Sequence, residues 1–160
     1  MKKLILLFFI VVLASCDDNR NSSSLNTNVS SEAFDQFKEA FIEDLWKLYP
    51  GWASYVGYHK YDSVLVVLSD EYRQRELSFC SKYLDTLRKF DLQQLSPNDK
   101  TDHYLIRDAL VSMQWYVNEY RSYEWKPSYY NVAGGFEGIL NNKHYELEDR
   151  LRTIYRRMAN

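Results

Sequence analysis

Apolar side chains recur at steps of three or four residues over four stretches of this 160-residue chain. This spacing is typical of amphipathic helices, because it puts such side chains on one face of a helix with 3.6 residues per turn. The inward faces predicted in this way are Phe34, Phe37, Phe41, Leu45 and Leu48; Tyr72, Phe79, Tyr83, Leu84 and Leu87; Leu105, Ala109, Met113, Tyr116 and Tyr120; and Leu147, Leu151, Ile154 and Tyr155. We therefore expect an all-α fold, an irregular assembly of about four main helices joined by aromatic-rich loops.

Capping residues and helix breakers set the expected ends of these helices. A cap at Ser30 or Ser31 starts the first helix, and Pro50-Gly51 ends it. Ser69 and Ser96 are the expected caps of the second and third helices, and a proline follows the second of these caps at the first helical position. The second, third and fourth helices are expected over about residues 70–89, 97–123 and 145–158.

Two connecting segments are expected to lack regular structure. Residues 64–68 are the only strongly β-prone run, and a run of this length favours an extended connector over a sheet strand. Residues 126–142 hold one proline and three glycines, which predicts an irregular path with a helical turn at 136–140.

The chain is rich in aromatic residues, with fourteen Tyr, eight Phe and four Trp. Two clusters fall in predicted loops or helix ends: Trp52, Tyr55, Tyr58 and Tyr61, and Tyr123, Trp125, Tyr129 and Tyr130. We favour packing as their role, because a short helical domain needs bulky side chains in its core. The alternative is a cleft for a peptide or sugar, with Tyr58, His59, Tyr61 and Trp125 as candidate lining residues. For His59, a structural hydrogen bond is the favoured role.

The first sixteen residues have the layout of a lipoprotein signal. Lys2 and Lys3 precede an apolar run from Leu4 to Leu13, which is shorter than the about 20 residues that span a bilayer. Leu13-Ala14-Ser15-Cys16 resembles the lipobox of bacterial lipoproteins, in which the cysteine is lipidated and becomes the first mature residue. We therefore predict a signal peptide over residues 1–15, lipidation of Cys16, and a membrane-anchored place in the cell envelope, facing the periplasm or the surface. An ordinary secretory signal or an uncleaved membrane helix is the alternative.

The rest of the predicted domain plan follows from composition. Residues 16–31 are rich in Ser and Asn and predict a flexible tether, and residues 32–160 would form the helical domain. Cys80 lies among apolar residues, so we expect a buried and unreactive thiol.

Charge and motifs argue against several classes of function. The twenty Lys and Arg are dispersed among twenty-two Asp and Glu, so no basic stripe predicts nucleic acid as a partner. The sequence has no His-Glu-x-x-His zinc motif, no glycine-rich phosphate loop and no Gly-x-Ser-x-Gly elbow. The residues by themselves therefore predict no catalytic, metal or cofactor site on this chain.

The order of several weak motifs is more specific than any one of them. In chain order the motifs are Tyr49-Pro50; Gly57-Tyr58-His59-Lys60-Tyr61-Asp62; Leu68-Ser69-Asp70; Leu95-Ser96 with Asp99 and Asp102-His103-Tyr104-Leu105; Trp125 with Pro127 and Tyr130; and Arg150-Leu151. In this order they resemble the bacterial family called domain of unknown function 885, over about Phe34 to the end.

This resemblance implies a fold and a class of activity for a longer protein. Family members are much longer, largely α-helical, often secreted or lipid-anchored, and similar to zinc metallopeptidases of the helical carboxypeptidase type. Their His-Glu motif lies far toward the carboxyl end and no position here matches it, so no catalytic residue is carried over and zinc would belong to the full-length protein. The chain would then be the amino-terminal helical portion of a zinc-peptidase-like protein. The alternative is a complete small helical lipoprotein that binds a peptide, a glycan or an envelope partner through exposed aromatics. Enzymatic activity is left open.

Overall fold

The computed structural model describes the backbone of residues 20–159 and the side chains of residues 31–159. Residues 20–159 contain α-helices and shorter helical turns and no β-strand, so the predicted all-α class is confirmed. The helices are α1 (Arg20–Leu48), α2 (Pro50–Tyr55), α3 (Asp70–Leu87), α4 (Pro97–Trp115), α5 (Ala133–Asn141) and α6 (Leu147–Ala159). The apolar spacing predicts about four main helices, and α2 and α5 are additional to these. Within residues 20–159, none of these helices is both long and apolar enough to cross a membrane.

The core lies between α1, α3 and α4. Its buried side chains are Phe34, Phe37, Phe41 and Leu45 of α1, Phe79, Cys80, Tyr83, Leu84 and Leu87 of α3, Leu95 before α4, and Leu110 of α4. The Phe37 and Tyr83 rings meet edge to face with centroids 5.7 Å apart, which is a favoured geometry for an aromatic pair. Most of the inward faces predicted for the first two helices are therefore confirmed, with Leu48 half-buried.

Cys80 is the buried thiol that the sequence predicts. Its side chain is only 1% exposed, and burial raises the pKa of the thiol to about 11. Because the thiolate is the reactive form of cysteine, this environment makes Cys80 a packing residue.

Polar contacts join α1 to the beginning of α4. Lys38 donates from Nζ to Asp99 Oδ1 at 2.8 Å and to Asp102 Oδ2 at 3.1 Å. Asp99 is buried, and its backbone N–H donates to the capping hydroxyl of Ser96 at 3.2 Å. The cap predicted at Ser96 is therefore present, and it lies next to a partly buried ion pair that the local pattern does not reveal.

The inward face predicted for α4 is wrong. Four of the five residues predicted to point inward are exposed, namely Leu105, Ala109, Tyr116 and Tyr120, and only Met113 is half-buried. The face that points inward carries Asp99, His103, Ile106 and Leu110 instead. Asp99 and His103 on this face are polar, so the spacing of apolar residues predicts a neighbouring face of α4 as the inward one.

The inward face predicted for α6 is also wrong. Leu147, Leu151 and Tyr155 are exposed, and Ile154 is only partly covered. Arg157 is the buried residue of this helix, at 3% exposure. The helix therefore lies with polar side chains against the described chain and its apolar stripe outward.

α1 begins earlier than the predicted caps at Ser30 and Ser31. Its backbone is helical from Arg20, so residues 20–31 of the predicted tether form part of the helix. No proline or glycine lies between residues 20 and 48, and extending an existing helix through Ser or Asn costs only about 0.5 kcal/mol per residue. The predicted signal peptide, Cys16 and residues 17–19 lie outside the described residues.

The other connecting segments differ in how well they were predicted. Residues 64–68 form neither a strand nor a helix, so the prediction that they are a connector and not a sheet strand is confirmed. Residues 126–142 are more regular than expected, because they contain a 3₁₀ turn (Pro127–Tyr130) and α5, which buries Ile139. α4 passes into a π-helical turn (Tyr116–Tyr120) that ends at Arg121, whose φ is 47°, before the predicted end near Tyr123.

A matched pair of substitutions tests which face of α4 is inward. Leu110→Ala should lower the free energy of unfolding by about 2–5 kcal/mol, because Leu110 is fully buried. Leu105→Ala should change it by less than about 0.5 kcal/mol, because Leu105 is 63% exposed. Urea unfolding followed by circular dichroism measures both, and a larger loss for Leu105→Ala would contradict the observed face.

Candidate functional site

All five glycines of the chain line one open cleft between α2 and α5. The cleft has a volume of about 590 Å³. Its lining residues are Gly51, Ser54, Tyr55, Gly57, His59, Gly134, Gly135, Gly138, Asn141, Asn142 and His144. We call this feature the glycine cleft, and it combines a floor without side chains with amide, hydroxyl and imidazole groups.

Close packing within the described chain does not account for most of these glycines. A Cβ atom added at Gly51, Gly57, Gly134 or Gly138 would meet no atom within 4 Å. Glycine inside a helix costs about 1 kcal/mol relative to alanine, and α5 has three glycines among nine residues. Gly57 is a separate case, because its φ of 89° favours glycine for conformational reasons. In α5, Gly134 and Gly138 therefore leave backbone open at a cost in helix stability, whereas Gly135 makes room for the Arg157 side chain.

His59 is held in one orientation at the edge of the glycine cleft. Its Nδ1 lies 2.9 Å from Asp62 Oδ2, and its Nε2 lies 3.4 Å from Asn142 Nδ2. The ring of Tyr145 packs edge-on against the imidazole at 5.4 Å. His59 thus makes a structural hydrogen bond of the favoured kind and also lines the cleft.

Tyr58 and Tyr61 lie away from the cleft and fix the same loop to α1. Tyr58 donates its hydroxyl to Glu43 Oε2 at 2.7 Å, and Tyr61 donates to Glu43 Oε1. Lys60 donates to Oε1 at 2.5 Å. The hydrogen bonds from Lys60 and the two tyrosines lower the pKa of Glu43 from 4.5 to about 2.

Trp125 does not line the glycine cleft either. It ends a single helical turn (Ser122–Trp125), and its Nε1 donates to the carbonyl oxygen of Tyr120 at 3.1 Å. Its ring packs edge-on against Tyr120 at 5.2 Å. Of the four candidate residues, the structure therefore brings only His59 to the cleft.

Arg157 joins α6 to α5 and to the loop that follows His59, beside the glycine cleft. It donates from Nε to the carbonyl oxygen of Asp62 at 2.6 Å and from Nη1 to that of Gly135 at 2.8 Å. Burial lowers the pKa of this guanidinium. Sequence reasoning missed Arg157, because a basic residue in the last turn of a helix ordinarily faces water. It also missed the cleft amides and His144, for which the nearby glycine cluster was the available signal.

The described side chains do not fit the zinc that the family resemblance implies. Across residues 31–159, no three His, Cys, Asp or Glu side chains are grouped so as to hold a metal ion. His59 and His144 share the glycine cleft, but His59 Nδ1 is engaged by Asp62.

Comparisons with known proteins place the chain in a family. Residues 50–160 match the family described as bacterial protein of unknown function, DUF885. The chain belongs to DUF885. Among solved structures it is similar to a protein from Shewanella oneidensis described as a putative lipoprotein of unknown function, with 42% identity and a TM-score of 0.76. The similarity covers 79% of this chain and 23% of that protein, so the chain spans less than a quarter of its length. A search of curated proteins gave no match.

The DUF885 match contains the whole lining of the glycine cleft, from Gly51 to His144. The family suggested by the order of motifs is therefore confirmed. α1 precedes the matched residues. Its Glu43 binds Tyr58 and its Lys38 binds Asp99, so both contacts join α1 to the first half of the matched region.

Acid should release the DUF885 loop that Glu43 holds. Because the pKa of Glu43 is lowered on folding, its contribution is complete above about pH 4.5 and is lost as the pH falls through about 2. NMR signals of the Tyr58 and Tyr61 rings should report this change, and Glu43→Gln should show the released state at neutral pH. Asp44→Asn is the control, since the pKa of Asp44 is also lowered to about 2 but its partners are Lys82, Tyr83 and Lys47. Release of the tyrosine rings at neutral pH in Asp44→Asn, but not in Glu43→Gln, would contradict the assignment.

Proposed function

We propose that this chain is the amino-terminal helical part of a longer, lipid-anchored envelope protein of DUF885, where it forms one wall of a peptide-binding cleft. The observation that carries this proposal is the convergence of all five glycines on one open cleft. The catalytic groups, including the zinc that the resemblance implies, would come from the remainder of the longer protein.

The cleft has the chemistry that an extended peptide requires. The four glycines with no atom within 4 Å of the Cβ position, namely Gly51, Gly57, Gly134 and Gly138, let another backbone approach closely. Asn141 in its lining offers both donors and acceptors, which match the N–H and C=O groups of a peptide. Tyr55, which is 88% exposed, adds an apolar ring at the rim.

The orientation of α6 supports a longer protein. Exposed apolar side chains on this helix are Leu147, Leu151, Tyr155 and Met158. Each square ångström of apolar surface removed from water contributes about 25 cal/mol, so covering this stripe would stabilise the fold. The Shewanella protein has more than three quarters of its length outside the similarity, which is enough chain to cover the stripe.

Co-purification tests the proposal directly. The full chain, co-expressed with the part of the Shewanella protein that lies outside the similarity, should bind it. Leu151→Asp should reduce the recovered complex at least tenfold, because a buried unpaired charge opposes docking. Arg156→Asp is the control on another face of α6 and should leave the complex intact. A chain that stays monomeric by light scattering, melts sharply and binds nothing would instead support the complete small lipoprotein.

The assembled pair also tests the role of the cleft. Gly138→Leu should weaken binding of an unstructured peptide by about tenfold or more while the protein remains folded, because a Cβ at Gly138 meets only open space. The adjacent exposed change Glu137→Leu should leave peptide affinity unchanged. If both variants bind the peptide with equal affinity, the glycine cleft is not the peptide-binding site.

The membrane anchor rests on Cys16 and on the similarity to a protein described as a lipoprotein. A diacylglyceryl group together with an N-acyl chain would hold the protein firmly, whereas one acyl chain holds it only marginally. The partner at this end of the chain is therefore the lipid bilayer of the envelope.

Two cysteine substitutions test the anchor. In bacteria fed labelled palmitate, Cys16→Ser should abolish labelling and move the protein out of the membrane fraction. Cys80→Ser should keep the label, because Cys80 is buried in the core. Label that persists in Cys16→Ser would overturn lipidation at this residue.

A further inference from the structure

A second cavity lies between α3 and the end of α4 and shares no lining residue with the glycine cleft. Its volume is about 140 Å³. Its lining residues are Tyr49, Glu76, Met113, Tyr116, Val117, Ser122, Tyr123 and Tyr129. We call it the tyrosine pocket, since four of these eight residues are tyrosines around one carboxylate.

Glu76 is a buried acid with an unsatisfied oxygen. The residue is only 7% exposed, and its Oε1 accepts a hydrogen bond from the Tyr49 hydroxyl at 2.5 Å. Its Oε2 is also buried and has no hydrogen-bond partner among the described residues. A buried carboxylate oxygen without a hydrogen-bond donor costs free energy, and the described side chains supply no donor to this atom.

Arg73 is the cation of the chain that acts electrostatically on Glu76, and it also interacts with Tyr129 of the pocket, but it does not donate a hydrogen bond to Glu76 Oε2. Arg73 lies one turn before Glu76 on α3, and it donates to Asp70 and to the carbonyl oxygen of Leu68. Its guanidinium carbon lies 4.1 Å from the centroid of the Tyr123 ring. A ring of the pocket thus already accepts a cation, while Glu76 Oε2 keeps no donor.

Two backbone irregularities shape this pocket. The π-helical turn Tyr116–Tyr120 contributes Tyr116 and Val117, and Arg121 follows it in the left-handed region with a φ of 47°. Ser122 and Tyr123 come directly after this residue and complete the lining. π-helical turns and left-handed non-glycine residues occur frequently at functional sites, where the surrounding structure holds them in place.

We propose that the tyrosine pocket binds a primary alkylammonium group, with Glu76 accepting from its N–H and the tyrosine rings packing on its short alkyl part. A carboxylate combined with aromatic rings is the chemistry that recognises such cations. The small volume restricts the ligand to an ammonium with about two or three carbons inside the pocket. The group can belong to a free amine or to the amino terminus of a peptide.

The experiment titrates ethylammonium into the full chain in mild detergent at about pH 7.5, where a primary amine is protonated. Amide NMR signals of Ser122 and Tyr123 should shift and saturate, whereas ethanol, a neutral analogue of similar size, should shift them at least tenfold less. Triglycine that saturates the same signals more tightly than ethylammonium identifies a peptide amino terminus as the source. No saturation by ethylammonium up to about 50 mM, or an equal response to ethanol, overturns the proposal.

Variants separate the charge from the rings. Glu76→Gln keeps the shape and removes the charge, so ethylammonium affinity should fall at least tenfold. Glu71→Gln, an exposed change on the same helix, should leave affinity unchanged. Tyr123→Leu keeps Glu76 but removes one ring, and a loss of about threefold or more is expected, which keeps the test decisive if Glu76→Gln does not fold. Unchanged affinity in a folded Glu76→Gln variant overturns the role of the carboxylate.

Discussion

The packing of aromatic side chains from α1 against α3 is the interaction on which the rest of the structure depends. Phe37 and Phe41 both meet the ring of Tyr83, and the Tyr83 hydroxyl returns to α1 by donating to Asp44 at 2.8 Å. This contact combines apolar burial with a satisfied polar group, so it fixes both the distance and the rotation of α1. Other faces of α1 then hold the start of α4 through Lys38 and the 58–61 loop through Glu43.

The two ends of the described chain differ in how they bury surface. Residues 34–110 form a core with satisfied caps and ion pairs, whereas the buried residues beyond them are Ile139 and Arg157. α6 reverses the usual arrangement, since its polar side holds the chain through Arg157 and its apolar side faces outward. An amphipathic helix in this orientation is stable when another element covers its apolar stripe. This asymmetry is the physical basis of the proposal that the chain is one part of a longer DUF885 protein.

The glycine cleft and the tyrosine pocket are the two places that we propose to bind another molecule. At Gly134 and Gly138 the helix gives up stability and leaves backbone uncovered. At Glu76 a carboxylate oxygen is buried without a donor. Both features cost free energy, and no contact among the described residues offsets either cost. Such costs persist where function requires them.

The sequence by itself determined the local features of this protein. Periodicity was enough for the faces of α1 and α3, the Ser69 and Ser96 caps are local hydrogen bonds, and the order of motifs was enough to recognise DUF885. The tertiary structure decided which polar groups are buried, because their partners are far away along the chain. Asp99 is paired with Lys38, 61 residues earlier, and that pairing turns α4 to a face that apolar spacing does not mark. The glycine cleft is equally nonlocal, since α2 and α5 are far apart along the chain.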